Sequence, residues 1–176
     1  MDILDDISNN KFVLVMLSEK EYDEKLLGIV SHLESHQICY VCLSKPYRDV
    51  IEQFKRMNLD YGKFFFIDVL TSHYSNPSKT QNCIFLDNPS NLEQIQSSVN
   101  IAISKHNCST VVFDTISSLL VYEHGYNMVK FTHNLAIHEE SQKINKIFIV
   151  LKDGDYAQES DSIVKDIQMF ADKTIG

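Results

Sequence analysis

The sequence predicts an α/β protein, a three-layer sandwich whose mostly parallel central sheet is covered by helices on both faces. Short runs rich in β-branched and aromatic residues alternate with longer segments whose apolar residues recur at a helical spacing. The short runs are apolar on both faces, which is typical of parallel strands buried between helices. No internal repeat, low-complexity tract or clear interdomain linker interrupts the chain, so we expect one domain over residues 1–176.

Six runs are predicted as strands because they are short, apolar and bounded by polar or turn-forming residues. They cover residues 12–17, 38–43, 64–69, 83–86, 110–114 and 146–151, and a last short run follows at 174–175. The polar stretch 71–82 contains Pro77 and is predicted as a loop. This order places the longest strands in the middle of one sheet.

The segments between the strands are predicted as helices, with Pro46 and Pro89 near two of the starts. One long helix is expected from Tyr126 to about residue 144. The apolar stripes of the other helices are Tyr22, Leu26, Ile29, Val30 and Leu33; Val50, Phe54 and Met57; Leu92, Ile95, Val99 and Ile103; and Ile163, Ile167 and Phe170.

The charge of the chain argues against several classes of partner. A net charge of −8 disfavours generic binding to nucleic acids or anionic membranes, since both require a basic surface. No apolar run approaches the roughly 20 residues of a membrane span. The acidic start at residues 1–6 is the opposite of a signal peptide. We therefore expect a cytoplasmic protein with no nucleic-acid and no membrane partner.

Two of the four cysteines, Cys39 and Cys42, have the C-x-x-C spacing, but they lie within a predicted strand. Residues three apart in a strand point to opposite faces, so this pair is poorly placed to share a metal or a disulfide. We expect buried, free thiols, as is usual in a reducing cytosol.

The most informative stretch is 110–120, in which a buried strand runs into Asp114 and a hydroxyl-rich turn then opens a helix. An acid at the carboxyl end of a central strand can hold a magnesium-bound water in nucleotide-hydrolysing proteins. Such a site also needs a glycine-rich loop after the first strand, whose backbone amides wrap the phosphates. The corresponding turn at 17–25 has no glycine and contains four acids, Glu19, Glu21, Asp23 and Glu24.

With these elements in order, the chain resembles the RecA-like ATPase core, and most closely the archaeal and bacterial KaiC-type branch. The resemblance extends over roughly three-quarters of the chain by order of elements. It implies a RecA-like P-loop NTPase fold. The matching segments are 39–44, 65–68, 88–92, 110–120, 122–135, 146–151 and 170–175.

The departures from the family pattern concern its functional elements. The Gly-x-x-x-x-Gly-Lys-Ser/Thr loop is absent, and Lys45 and Pro46 stand where the family has the acid that activates the attacking water. Of the three elements, only the Walker B acid, Asp114, is retained. The resemblance therefore implies a catalytically inactive domain with no cofactor, no metal and no catalytic residue. Such a domain acts in protein interaction or regulation, as a homo-oligomer or with another protein.

The alternative is an atypical ATP-binding protein, in which Asp114 holds magnesium and Lys20, Lys25 and Thr115 contact the nucleotide. In the competing structural interpretation, Asp114 caps the following helix together with Thr115 and Ser117, or is an inherited remnant of an ATP site. The two lysines then belong to a solvated helix face, where Glu21 and Lys25 are four residues apart.

Two histidine groups are weak candidates for metal binding and point to a third possibility, a metal-dependent hydrolase. His32 and His36 share a predicted helical face but fit no zinc-binding pattern and lack a third ligand nearby. His133 and His138 point to different faces of their helix, with Glu139 and Glu140 following. Solvent-exposed side chains are expected in both places.

Other chemistries have less support. Ser44 and Ser117 lack a nucleophile-elbow context. Glu19 and Asp68 only loosely imitate the acids of a receiver domain. The late loop 152–161 is acidic, so it would repel the phosphates of DNA.

Overall fold

Seven parallel strands form one sheet in the computed structural model, which describes residues 3–176 apart from the side chain of Glu140. Every strand pair is parallel, which confirms the predicted architecture. Met1 and Asp2 of the acidic start lie outside the described residues. The strands are β1 (Phe12–Leu17), β2 (Ile38–Cys42), β3 (Phe64–Asp68), β4 (Cys83–Phe85), β5 (Thr110–Asp114), β6 (Asn145–Leu151) and β7 (Lys173–Ile175).

Helices cover both faces of this sheet. They are α1 (Ile3–Asn9), α2 (Glu19–Leu33), α3 (Tyr47–Arg56), α4 (Thr71–Tyr74), α5 (Leu92–His106), a 3₁₀ helix (Ile116–Val121), α6 (Gly125–Ile137), α7 (Glu139–Gln142) and α8 (Ala157–Gln168). Residues such as Leu26 of α2 and Phe54 of α3 pack on one face, and Val99 of α5 and Phe131 of α6 pack on the other. The core is therefore divided by the sheet into two apolar layers.

Side chains alternate between these layers along each strand, as the pleat requires. Cys39 belongs to one layer and Cys42 to the other, so the C-x-x-C pair is separated by the sheet. All four cysteines are buried and free. Burial raises the pKa of the Cys39 and Cys42 thiols well above its ordinary value. The prediction of buried, free thiols is confirmed.

The predicted long helix from Tyr126 to residue 144 is wrong, because the chain breaks at His138. His138 has the extended angles φ −64° and ψ 131°, which end α6 and start α7. The Ser141 hydroxyl donates to the carbonyls of Leu135 and His138, and the Lys146 ammonium group donates to those of Ser141 and Ile144. Local side chains thus satisfy carbonyls that a continuous helix would have bonded internally.

Several boundaries also differ from the prediction. The supposed turn at 17–25 is helical from Glu19 onward, and the loop 71–82 contains the single helical turn α4. The acidic loop expected at 152–161 ends at Tyr156, since α8 begins at Ala157, and Phe170 lies beyond that helix. The helix α1 was not predicted. The core strands were easier to predict because their runs are continuously apolar.

The strand order is β4-β3-β2-β5-β6-β1-β7. The chain leaves β2 toward one side of the sheet and leaves β5 toward the other, so these neighbouring strands form a topological switch point. In open α/β sheets, ligands bind at such a point, outside the carboxyl ends of the strands. We call the segments that directly follow β1, β2, β3, β5 and β6 the carboxyl edge.

Candidate functional site

Asp114 ends β5 at the carboxyl edge and is 1% exposed. Its Oδ1 atom accepts a hydrogen bond from the Tyr22 hydroxyl, and its Oδ2 atom accepts one from the Tyr40 hydroxyl. Tyr40 lies in β2, the strand next to β5. Tyr22 comes from the inward stripe of α2, one turn after the helix begins. Both oxygens of the carboxylate are therefore bonded to protein donors.

The interpretation of Asp114 as a helix cap is wrong. In β5, Val112 and Asp114 point to the face covered by α2, which carries the carboxylate away from the 3₁₀ helix that follows. Thr115, which precedes that helix, places its Oγ1 atom 2.8 Å from Ser118 Oγ. The Ser117 hydroxyl instead accepts a hydrogen bond from the Leu151 amide at 3.2 Å.

Burial dominates the electrostatics of this cluster. It raises the pKa of Asp114 above its ordinary value, while the hydrogen bonds from Tyr22 and Tyr40 and the charge of Lys45 act in the opposite direction. Burial and the neighbouring carboxylate raise the pKa of both tyrosines, and that of Tyr40 lies well above its usual range. The two hydroxyls therefore remain protonated donors at neutral pH.

Lys45 covers the cluster from the solvent side. Its ammonium group lies 5.1 Å from the centre of the Tyr22 ring, 3.1 Å from Gln53 Oε1 and 3.7 Å from Asp23 Oδ1. A small cavity of about 240 Å³ lies beside Tyr22 and Lys45 and is lined also by Thr115 and Leu151. Asp114 lies behind Tyr22 and does not line this cavity.

The structure brings together only part of the alternative nucleotide site. Thr115 follows Asp114 directly and lines the small cavity, but Lys20 and Lys25 do not. Both lysines are exposed, and Lys25 lines a different cavity with Lys152 and Ile175. The lysine beside the Asp114 cluster is Lys45.

The turn between β1 and α2 consists of one residue, Ser18, with φ −81°. The Ser18 hydroxyl donates to Glu21 Oε2 at 2.6 Å, and the Glu19 amide donates to Asp153 Oδ1 at 2.8 Å. Hydrogen bonds from the Ser18 hydroxyl and the Ser18 amide lower the pKa of Glu21. The amino end of a helix attracts anions, and here carboxylates of the chain itself take that position.

The histidine candidates are not brought together. His32 Nε2 lies 2.9 Å from Ser8 Oγ, and His36 lies beyond the end of α2 at Leu33, so the two do not share a helical face. The His133 ring packs edge-on against Phe170 at 5.2 Å, while His138 separates α6 from α7. The Glu140 side chain lies outside the described residues. Among the described residues, no three His, Cys, Asp or Glu side chains are grouped to hold a metal ion.

The remaining candidates have structural partners. Ser44 donates to the Asp114 carbonyl at 3.3 Å. Asp68 is fully buried and accepts hydrogen bonds from the amides of Tyr47, Leu70 and Thr71. Glu19 lies on the exposed amino end of α2. Asp68 thus holds the segment after β3, and neither acid resembles a phosphoacceptor site.

The sequence analysis missed Tyr22 and Tyr40 as partners of Asp114 because both stood in buried apolar patterns. A tyrosine in such a pattern usually has a hydrogen-bond partner for its hydroxyl. Asp114 was an acid at the end of a predicted strand, and the structure places that strand next to the one that carries Tyr40. The need of a buried tyrosine hydroxyl for an acceptor was therefore the signal in the sequence that pointed to this cluster.

The fold was also compared with known proteins. The chain is similar to a KaiC-like protein from the hyperthermophilic archaeon Pyrococcus horikoshii, with a TM-score of 0.62 and 14% sequence identity. The superposition covers 88% of this chain and 70% of the archaeal protein. No protein-family model and no curated protein sequence matches the chain. The structural likeness shows the fold alone, an α/β sandwich with a parallel sheet that this chain shares with the KaiC-like protein.

Proposed function

We propose that this chain is a catalytically inactive RecA/KaiC-like domain that acts through protein–protein contact, in regulation or signalling. The observation that carries the proposal is the state of Asp114, whose two carboxylate oxygens accept hydrogen bonds from Tyr22 and Tyr40. A strand-end acid that serves magnesium must present an oxygen to the ion or to its water. Here the oxygens are buried and already bonded.

The amino end of α2 gives independent support. A phosphate loop needs free backbone amides and residues that accept positive φ. In this chain one residue joins β1 to α2, and the Glu19 amide is bonded to Asp153. Glu19, Glu21 and Asp153 would also repel a triphosphate at this position.

The competing function is ATP binding through Asp114. A cavity lined by Lys45 and Thr115 lies near the switch point, so a rotation of Tyr22 would open a path from this cavity to the carboxylate. An ATP-binding protein and a domain without a nucleotide site predict opposite results in one experiment.

Thermal unfolding with and without magnesium-ATP tests the proposal. A ligand at 100 times its Kd stabilises a protein by about 2.7 kcal/mol, which is several degrees for a chain of this size. We expect no shift for the parent chain or for Asp114→Asn. Asp87→Asn, an exposed acid after β4, is the control for the loss of one charge. A shift in the parent and in Asp87→Asn that disappears in Asp114→Asn would establish the nucleotide site.

We further propose that the protein works in the cytoplasm with a protein partner or as a homo-oligomer, and without nucleic acid or membrane. The net charge of −8 supports this environment. In residues 3–176, no helix is long and apolar enough to cross a membrane. Affinity capture from the native host, followed by sedimentation of the purified chain, separates a foreign partner from self-association.

A further inference from the structure

A second and larger cleft, of about 460 Å³, opens at the carboxyl edge. It extends from the segment after β2, at Leu43 and Ser44, to the 3₁₀ helix and the loop after β6. Asp114 does not line it. This carboxyl-edge cleft therefore occupies the ligand position of an open α/β sheet without using the buried acid.

Three large apolar or aromatic side chains that line the carboxyl-edge cleft are unusually exposed. Tyr74 is 75% exposed, Val121 55% and Tyr156 39%. Tyr122 also lines the cleft and lies beside Tyr74, and burial together with this neighbour raises the Tyr122 pKa. Within the described part of the chain, six large hydrophobic side chains are well exposed, and these three are among them. Such a concentration marks a surface that a partner covers.

The charged part of the lining is acidic. Glu19, Asp153 and Asp155 line the cleft, and no Lys, Arg or His is among the described residues that line it. Asp153 is held in place by the Glu19 amide, and Asp155 is exposed. A phosphate-bearing ligand would meet like charge here. The lining is complementary to a cation.

We propose that the carboxyl-edge cleft binds a segment of a partner protein that presents a lysine or arginine next to an apolar side chain. The apolar residue packs against Val121, and the cation lies between tyrosine rings and the carboxylates. Tyrosine faces attract cations, and carboxylates form charge-assisted hydrogen bonds with them. This inference rests on the proposed function and adds the chemistry of the partner and its docking surface.

The charge of the chain favours a foreign partner over a second copy. Each copy carries −8, so two copies repel each other, whereas a basic segment is attracted to this surface. Arginine is the better candidate because its planar guanidinium group stacks on aromatic rings while bonding two carboxylate oxygens.

The test is a titration of the ¹⁵N-labelled chain with the peptide acetyl-Ala-Leu-Arg-Leu-Ala-amide, followed by NMR. A peptide with Glu in place of Arg is the control. We expect shifts of amide signals around Tyr74, Val121 and Tyr156 with the arginine peptide only. The double change Glu19→Gln and Asp155→Asn should weaken binding about five- to tenfold, because it removes two charges from the lining of the cleft.

A charge-matched variant excludes a general electrostatic effect. Glu34→Gln with Glu139→Gln removes two exposed acids at the opposite edge of the sheet and should change the affinity less than about twofold. Shifts scattered over the acidic surface, equal shifts with the glutamate peptide, or no shifts would overturn the inference. Concentration-dependent shifts at the cleft without peptide would assign it to self-association and also overturn it.

The experiments distinguish failure of this docking proposal from failure of the proposed function. If the inference alone fails, the cleft variant Glu19→Gln/Asp155→Asn still captures the host partner as well as the parent does, and magnesium-ATP still has no effect. If the proposed function fails, magnesium-ATP stabilises the parent whatever the peptide does.

Discussion

Asp68→Ala is expected to lower the free energy of unfolding by about 3–5 kcal/mol, because it removes a buried acceptor with several donors. The Asp68 carboxylate is 0% exposed. It accepts from the Tyr47 amide at 2.6 Å, the Leu70 amide at 2.7 Å and the Thr71 amide at 2.8 Å. The Thr71 hydroxyl is a fourth donor. Alanine leaves these groups without their partner, and both α3 and α4 lose the residue that fixes their start.

Urea unfolding measures this loss, and Asp60→Ala is its matched control. Asp60 is exposed and accepts a single hydrogen bond, from the Gly62 amide at 3.0 Å. Its replacement should cost less than about 1 kcal/mol, since water replaces the carboxylate. Equal midpoints for the two variants would show that Asp68 does not organise the segment after β3.

Tyr40→Phe is expected to cost about 2–4 kcal/mol at neutral pH, because it leaves one oxygen of the buried Asp114 carboxylate without a donor. The phenylalanine ring keeps the packing against Phe54 and Phe66. The loss of stability therefore measures the contribution of the hydroxyl and not that of side-chain volume.

The pH dependence of this loss has a defined sign. Because the Asp114 pKa is raised on folding, the folded state holds its proton to higher pH than the unfolded state does. The contribution of Asp114 to the free energy of unfolding is therefore present at acidic pH and is lost as the pH rises through the raised pKa. The Tyr40 hydrogen bond lowers that pKa, so Tyr40→Phe raises it further. The difference between parent and variant should grow as the pH rises from acid to neutral.

Tyr47→Phe is the control for removing a hydroxyl. The Tyr47 hydroxyl donates to Asn82 Oδ1 at 3.2 Å in a partly exposed place, so its loss should cost less than about 1 kcal/mol and should not depend on pH. Chemical unfolding of both variants at several pH values gives the comparison. A pH-independent loss in Tyr40→Phe would contradict the assignment of the raised pKa to Asp114.

The parallel sheet was predictable because its central strands are continuously apolar and its helices carry clear inward stripes. Phe64–Asp68 and Thr110–Asp114 were placed almost to the residue. The break at His138 was not predicted, because it depends on hydrogen bonds from the Ser141 hydroxyl to the His138 carbonyl and from the Lys146 ammonium group to the Ser141 carbonyl, which form in the folded chain. Periodicity alone does not contain such contacts.

For the site, the sequence located Asp114 at the carboxyl end of a strand but did not give its partners. Tyr22 is 92 residues away along the chain and Tyr40 is 74 away. The Tyr22 hydroxyl meets the carboxylate because α2 packs on the face to which β5 turns this side chain, and the Tyr40 hydroxyl meets it because β2 is the neighbouring strand. The helix-cap interpretation relied on Thr115 and Ser117, which are close in sequence, whereas the partners in the structure are Tyr22 and Tyr40, which are close only in space.

The strand order also has a consequence for synthesis of the protein. β1 is made before the other strands of the sheet, but its two neighbours, β6 and β7, come from residues 145–151 and 173–175. While the ribosome is still producing the middle of the chain, both edges of this apolar strand lack their native pairs. Such unpaired edges favour aggregation, and distant pairings slow folding. Removal of the last third of the chain should therefore yield insoluble protein rather than a smaller stable domain.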